Sequence, residues 1–211
     1  MKISYAVCGH EDRRAAAKAL ADSLDAWLAL DNGTYGELGN HDRAWRYGAL
    51  FDSDWTVVLE DDALPVPNFD QHVQAALGTL PAEPCAVSLY VGTSRPPQWQ
   101  GRIERAIVES DATGAGWIKG PGPLWGVAVA LPTALVPEML FGVRSIRAPY
   151  DERLGIWLRM HGLACLYPSY SLVDHADWPT LIRHRDGEPR VEPRRAWRVG
   201  GPRLNRRYVD L

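Results

Sequence analysis

The sequence predicts an α/β fold, a mostly parallel sheet flanked by helices. Two observations carry this. Apolar runs of strand length alternate with helix-period segments through the first ninety residues, the order expected of strand–helix–strand units. The run Trp55–Leu59 is continuously apolar or β-branched rather than alternating, as in a strand covered on both faces. A third feature bears on function. The run ends directly in Glu60-Asp61-Asp62, at the kind of strand end where open α/β sheets bind ligands.

Ile3 to Cys8 reads as the first strand and the Ala-rich segment Glu11 to Leu24 as a helix. Ala26 to Leu30 is a short strand stopped by the turn signal Asp31-Asn32-Gly33. Asn40 is placed to cap a helix running to Phe51. After the acid-tipped strand, Phe69, Val73, Ala76, Leu77 and Leu80 form a helical stripe that Pro81 ends. Ala86 to Val91 is the next strand. Residues 92–123 hold Gly, Pro, Trp and Arg without clear period and read as a long loop walling the substrate site. Leu124 to Leu131 is a buried strand, Thr133 caps a helix to Phe141, and Asp151 begins a helix that Gly162 ends. Leu163 to Leu172 is extended, and Val173-Asp174-His175 closes it.

Composition excludes several classes. Nine Trp and eight Tyr do not fit a disordered chain, and a net charge of −3 names no polyanionic partner by itself. Cys8, Cys85 and Cys165 are isolated, so neither a zinc site nor a CxxC redox motif is supported. Three unpaired thiols in apolar settings, a start that enters a strand with no apolar leader, and no apolar run of spanning length point to a cytoplasmic protein.

Three adjacent carboxylates repel one another and raise each other's pKa unless a cation sits among them. The cation suited to oxygen ligands at a phosphate-handling site is Mg²⁺ or Mn²⁺. The plain alternative is a solvated acidic turn. The strand before these acids and Ala63-Leu64-Pro65 after them favour the site.

This order of elements resembles the GT-A glycosyltransferases, a Rossmann-like family. The residues that carry the resemblance are Leu59-Glu-Asp-Asp-Ala63, the Gly-rich strand Gly122 to Val129, Tyr150-Asp151-Glu152-Arg153-Leu154 and Leu172-Val-Asp-His175. It is nearest to small lipopolysaccharide-type and bacteriophage-encoded members. It covers residues 1–178, leaving 179–211 as a basic, Arg-rich C-terminal extension. The resemblance implies transfer of a sugar from a nucleotide sugar, such as a UDP-sugar, with Mn²⁺ or Mg²⁺. Asp62 and His175 would be metal ligands. Glu60 or Asp61 would touch the ribose or position the metal's waters, and Asp31 would sit near the base. Asp151 or Glu152 would be the general base, which makes the reaction a single displacement with inversion.

Each role has a competing structural reading. Asp151 is also a suitable helix cap, His175 a core histidine paired with Asp174 or Asp177, and Asp31 ordinary turn chemistry. Arg195 and Arg198 would close over the donor diphosphate, bind an acidic acceptor, or lie in a solvated tail. Nine Arg against three acids between Arg183 and Arg207, with aromatic residues interleaved, also suit a nucleic acid. The acceptor expectations are therefore a hydroxymethylated pyrimidine in phage DNA, a surface glycan or a protein. A non-catalytic sugar- or nucleotide-binding module and a phosphate-handling hydrolase are the alternatives from other classes.

Overall fold

The computed structural model describes residues 1–80, 83–181 and 192–211. Strands β1 (Ile3–His10), β2 (Trp27–Asp31) and β3 (Trp55–Glu60) alternate with helices α1 (Arg14–Leu24) and α2 (Gly36–Gly48). Then come β4 (Ala63–Pro65), α3 (Phe69–Leu77), β5 (Cys85–Ser88), α4 (Pro97–Thr113), β6 (Trp117–Gly120) and β7 (Ala128–Pro132). The chain continues through α5 (Val136–Gly142), α6 (Tyr150–Met160), β8 (Ala164–Pro168), β9 (Val173–His175) and β10 (Tyr208–Asp210).

Eight strands form one mixed sheet in the order β10-β6-β8-β5-β7-β3-β1-β2. β1 pairs parallel with β2 and β3, β5 with β8, and β6 with β10. β7 runs antiparallel between β3 and β5, and β6 is antiparallel to β8. Helices cover both faces, as the strand pattern requires, since alternate residues of one strand enter different cores. Ala6, Cys8 and Val58 pack with Trp45 of α2, Ile103 of α4, Met139 of α5 and Leu154 and Trp157 of α6. Tyr5, Val7, Val57 and Leu59 pack on the other face with Leu20 of α1 and Phe69 and Val73 of α3. The three cysteines are buried and unpaired. Among the described residues no helix is long and apolar enough to cross a membrane.

Several elements depart from expectation. Residues 92–123 are not one long loop, because α4 and β6 lie within them. The stripe that buries α4 is Ile103, Ala106 and Ser110, one large residue and two small ones, while Val108 is 63% exposed. Its hydrophobic period is therefore faint, although Pro97 in the first turn and Gly114 at the left-handed C-cap mark both ends. Helix α2 starts at Gly36 rather than at Asn40. Asn40 is buried inside it and donates from Nδ2 to Gly9 O (3.0 Å) and Ala29 O (2.8 Å), locking together the ends of β1 and β2.

The described part of the C-terminal segment belongs to the sheet, because β10 extends the edge beside β6 and buries Val209. Its arginines work mainly as internal ties. Arg198 holds both oxygens of Asp111 at 2.8 Å, Arg203 joins the same carboxylate at 2.7 Å, and both guanidinium groups lie over Tyr170. Arg183, Arg185 and Arg190 lie outside the described residues.

Candidate functional site

Glu60, Asp61 and Asp62 sit where β3 ends, and the backbone turns them into different surroundings. β1 and β3 are parallel with Cys8 opposite Glu60, so the residues just past β1 meet the residues just past β3. Asp61 is consequently a clamp. Its Oδ2 accepts from His10 N (2.8 Å) and its Oδ1 from Arg13 Nη1 (2.9 Å). Burial raises the Asp61 pKa and Asp62 nearby adds to the rise, so the value stays above the ordinary one although His10 N and Arg13 lower it. Of the three acids Glu60 alone lines the cleft described below, and Asp61 and Asp62 lie behind it.

Asp62 is 5% exposed. Its Oδ2 accepts from the same Arg13 Nη1 at 2.7 Å, while its Oδ1 is buried with no hydrogen-bond partner. The small β4–β9 ladder brings in His175. Ala63 pairs with His175, Ala176 N donates to Asp62 O at 2.7 Å, and His175 Nε2 lies 3.5 Å from Asp62 Oδ2. His175 Nδ1 is also buried without a partner. Asp174 does not face the imidazole, because its Oδ1 accepts from the backbone N–H of His175 and of Ala196.

Arg13 is the functional residue that the sequence reading missed. One guanidinium nitrogen bridges two carboxylates, so part of the cation expected among the acids is supplied by the chain itself. The parallel pairing of β1 with β3 was the available signal, since it commits residues 10–13 to the neighbourhood of residues 60–62.

A cleft of about 560 Å³ opens at this end of the sheet. Glu60, Asp151, Glu152 and His175 line it together, and Glu37 adds a further carboxylate. Arg95, Arg194, Tyr90 and Trp125 also line it. Gly126 leaves room for Glu60. A Cβ built there would lie 2.5 Å from Glu60 Oε1 and 2.9 Å from the Tyr150 ring.

Asp151 lies in the first turn of α6, and Pro149 rather than Asp151 holds the cap position. Its Oδ1 accepts from the adjacent Glu152 N (2.9 Å). Burial pushes its pKa up, that N–H opposes the rise, and Glu60, Glu152 and Glu37 add to it, leaving the carboxyl at about 7. A carboxyl raised toward neutrality is suited to general-base work. Arg153 pairs with Asp42 and so ties α6 to α2.

His41 is buried behind the cleft and does not line it. It is stacked on Tyr150 with ring centroids 3.8 Å apart, its Nδ1 is 2.9 Å from Glu37 O, and its Nε2 is 3.3 Å from Glu60 Oε1. That last contact is a charge contact, out of line for a hydrogen bond. A carbonyl oxygen only accepts, so Nδ1 carries a proton. Burial alone would lower the imidazole pKa, but Cys8 and Glu60 hold it well above the ordinary histidine value. In the sequence His41, Arg43 and Trp45 read either as lining of a donor pocket or as a plain helix face, and the spacing does not decide between the two.

The other expected residues lie elsewhere. Asp31 caps the start of α2, its oxygens accepting from Tyr35 N (3.0 Å) and Gly36 N (2.9 Å). Burial would raise its pKa, but these N–H groups more than offset that and lower it. Arg195 Nη1 donates to His175 O (3.1 Å) beside Asp174, and Arg198 is committed to Asp111. In the described part of the C-terminal segment the arginine that lines the cleft is Arg194, whose guanidinium is paired with Asp177 and donates to Trp178 O. Neither the models of known protein families nor the curated proteins contain a match to this chain.

Proposed function

We propose that this protein is a GT-A-type glycosyltransferase that moves a sugar from a nucleotide sugar to an acceptor hydroxyl. The observation that carries the reading is the placement of Asp151, a carboxyl with a pKa of about 7, in the same cleft as Glu60 and His175. Asp151 takes the proton of the acceptor hydroxyl as that oxygen attacks the anomeric carbon, and the nucleoside diphosphate leaves from the opposite face. A base acting on the acceptor in this way gives inversion. Glu60 and Glu152 place negative charge where an oxocarbenium-like transition state gains from it. Arg194, which is paired with Asp177, adds a positive group at the edge of the cleft that would receive the diphosphate.

The residues fit a divalent ion such as Mn²⁺ or Mg²⁺. Asp62 Oδ1 is a buried oxygen without a partner and the imidazole of His175 lies against the same carboxylate, with Nε2 3.5 Å from Oδ2, so an oxygen and a nitrogen donor are at hand for such an ion when substrate phosphates complete the shell. Asp62 and His175 would hold the ion, which supplies charge for the departing diphosphate.

The acceptor we favour is a neutral or cationic hydroxyl compound, a glycan or a protein, rather than duplex DNA. Glu37, Glu60, Asp151 and Glu152 repel a polyanion at the cleft, and Arg198 and Arg203 are spent on Asp111. A thermal-shift panel of nucleoside diphosphates and nucleotide sugars with Mn²⁺ tests the reading. A bound donor at 100 times its Kd is expected to add about 2.7 kcal/mol. No stabilisation by any member of the panel contradicts it. Stabilisation without turnover favours the binding module, and nucleotide breakdown that needs no sugar favours the hydrolase.

A further inference from the structure

We infer that Arg13 is a built-in counter-ion that lowers the affinity of the strand-end acids for a divalent ion. The inference rests on the metal part of the proposed function, but it concerns residues whose contacts are described above. Arg13 Nη1 is 2.9 Å from Asp61 Oδ1 and 2.7 Å from Asp62 Oδ2, and the side chain is 12% exposed. The guanidinium is also anchored from the other side. Its Nη2 donates to Pro179 O at 2.7 Å, and it lies 5.5 Å from the Trp178 ring centroid. It therefore keeps its position without depending on the acids alone.

Asp62 is thus divided. Oδ2 belongs to Arg13, and Oδ1 is the buried oxygen that no donor reaches. An ion bound at Oδ1 shares one carboxylate with a fixed positive charge a few ångströms away. In a partly desolvated site that repulsion is only weakly screened by water. Asp61 offers the ion no ligand, because His10 N and Arg13 occupy its oxygens. The free protein accordingly holds the metal weakly, and the diphosphate of an arriving donor supplies the missing negative charge.

The experiment measures Mn²⁺ binding alone, with no nucleotide, by counting free ion in electron paramagnetic resonance titrations of the full chain. Arg13→Gln keeps a donor for one carboxylate and removes the charge. It is expected to bind Mn²⁺ at least about tenfold more tightly than the unmodified protein. Arg13→Gln combined with Asp62→Asn is expected to lose that gain, which locates it at this site. If Arg13→Gln does not fold, Arg13→Met carries the test. Methionine keeps the apolar stem and removes the charge, so the same tightening is expected. Unchanged or weaker Mn²⁺ affinity in the folded variant overturns the inference, as does a gain that survives Asp62→Asn. The transfer reading is tested separately by donor binding, so the two fail independently.

Discussion

Asp61 is buried and Asp151 half-buried at the same end of the sheet, and their surroundings treat the charge differently. Asp61 has a backbone N–H on one oxygen and a guanidinium on the other, and it holds two strands together. Asp151 has one N–H, from the residue next to it, and three other carboxylates acting on it. Asp31 completes the series, since backbone N–H groups on both its oxygens bring its pKa below the ordinary value despite burial. Burial alone therefore does not make a catalytic carboxylate. The number of fixed donors facing it decides between a clamp and a group poised near neutrality.

The largest expected effect follows from removing charge at the compensated end. Asp62→Asn preserves shape and is expected to lower kcat by at least 100-fold, on the order seen when a transition-state charge contact is lost, and to abolish Mn²⁺-dependent stabilisation. Near-normal turnover with Mn²⁺ present removes Asp62 from the metal's shell.

Gly126→Ala tests the packing of the uncompensated end. The added Cβ meets Glu60 Oε1 at 2.5 Å and the Tyr150 ring at 2.9 Å, so Glu60 must leave its place. A stability loss of about 1–3 kcal/mol is expected, together with weaker donor binding, read by denaturant unfolding and by titration. His41→Gln removes the imidazole on which Tyr150 is stacked and which faces Glu60, and is expected to cost about 1–3 kcal/mol. An unchanged unfolding midpoint shows that Glu60 does not need this partner.

The smallest effect lies far from the cleft. Asp111→Ala frees Arg198 and Arg203 from α4, but Asp111 is 48% exposed and such pairs are screened. About 1 kcal/mol is expected, which in a chain of this size is a Tm drop of roughly 2–4 °C. A larger loss that also weakens donor binding places the C-terminal segment in the control of Arg194.

These differences also explain what the sequence makes legible. β1, β3 and the position of the acid turn can be read because a continuous apolar run and three acids are local signals. Helix α4 cannot, because Ala106 and Ser110 bury little apolar area. The gathering of Glu60, Asp151, Glu152 and His175 in one cleft follows the order of the elements. The commitments of Asp31 to a helix start and Arg198 to Asp111 depend on which donors and acceptors tertiary contact supplies. Arg13 falls between these cases, invisible as a motif but implied once β1 is known to lie parallel to β3.

Asp151 also carries a pH signature whose sign is fixed by its raised pKa. A carboxyl moved from 3.8 to about 7 favours folding in its neutral form, so its presence costs stability as pH rises from about 4 through 7 and adds no further loss above that. Asp151→Asn is expected to melt at a higher temperature than the unmodified protein at pH 8 and at the same temperature near pH 4. Scanning calorimetry at the two pH values checks this.

The most direct test is the pH dependence of nucleoside diphosphate release from a nucleotide sugar, measured as kcat/KM for the unmodified protein and for Asp151→Asn. The proposed base, with its pKa of about 7, predicts a rise with pH to a plateau above that value. It also predicts a loss of about 100-fold or more in kcat and no such rise in Asp151→Asn, with donor affinity retained. An Asp151→Asn enzyme that keeps the rate and profile of the unmodified protein contradicts the account.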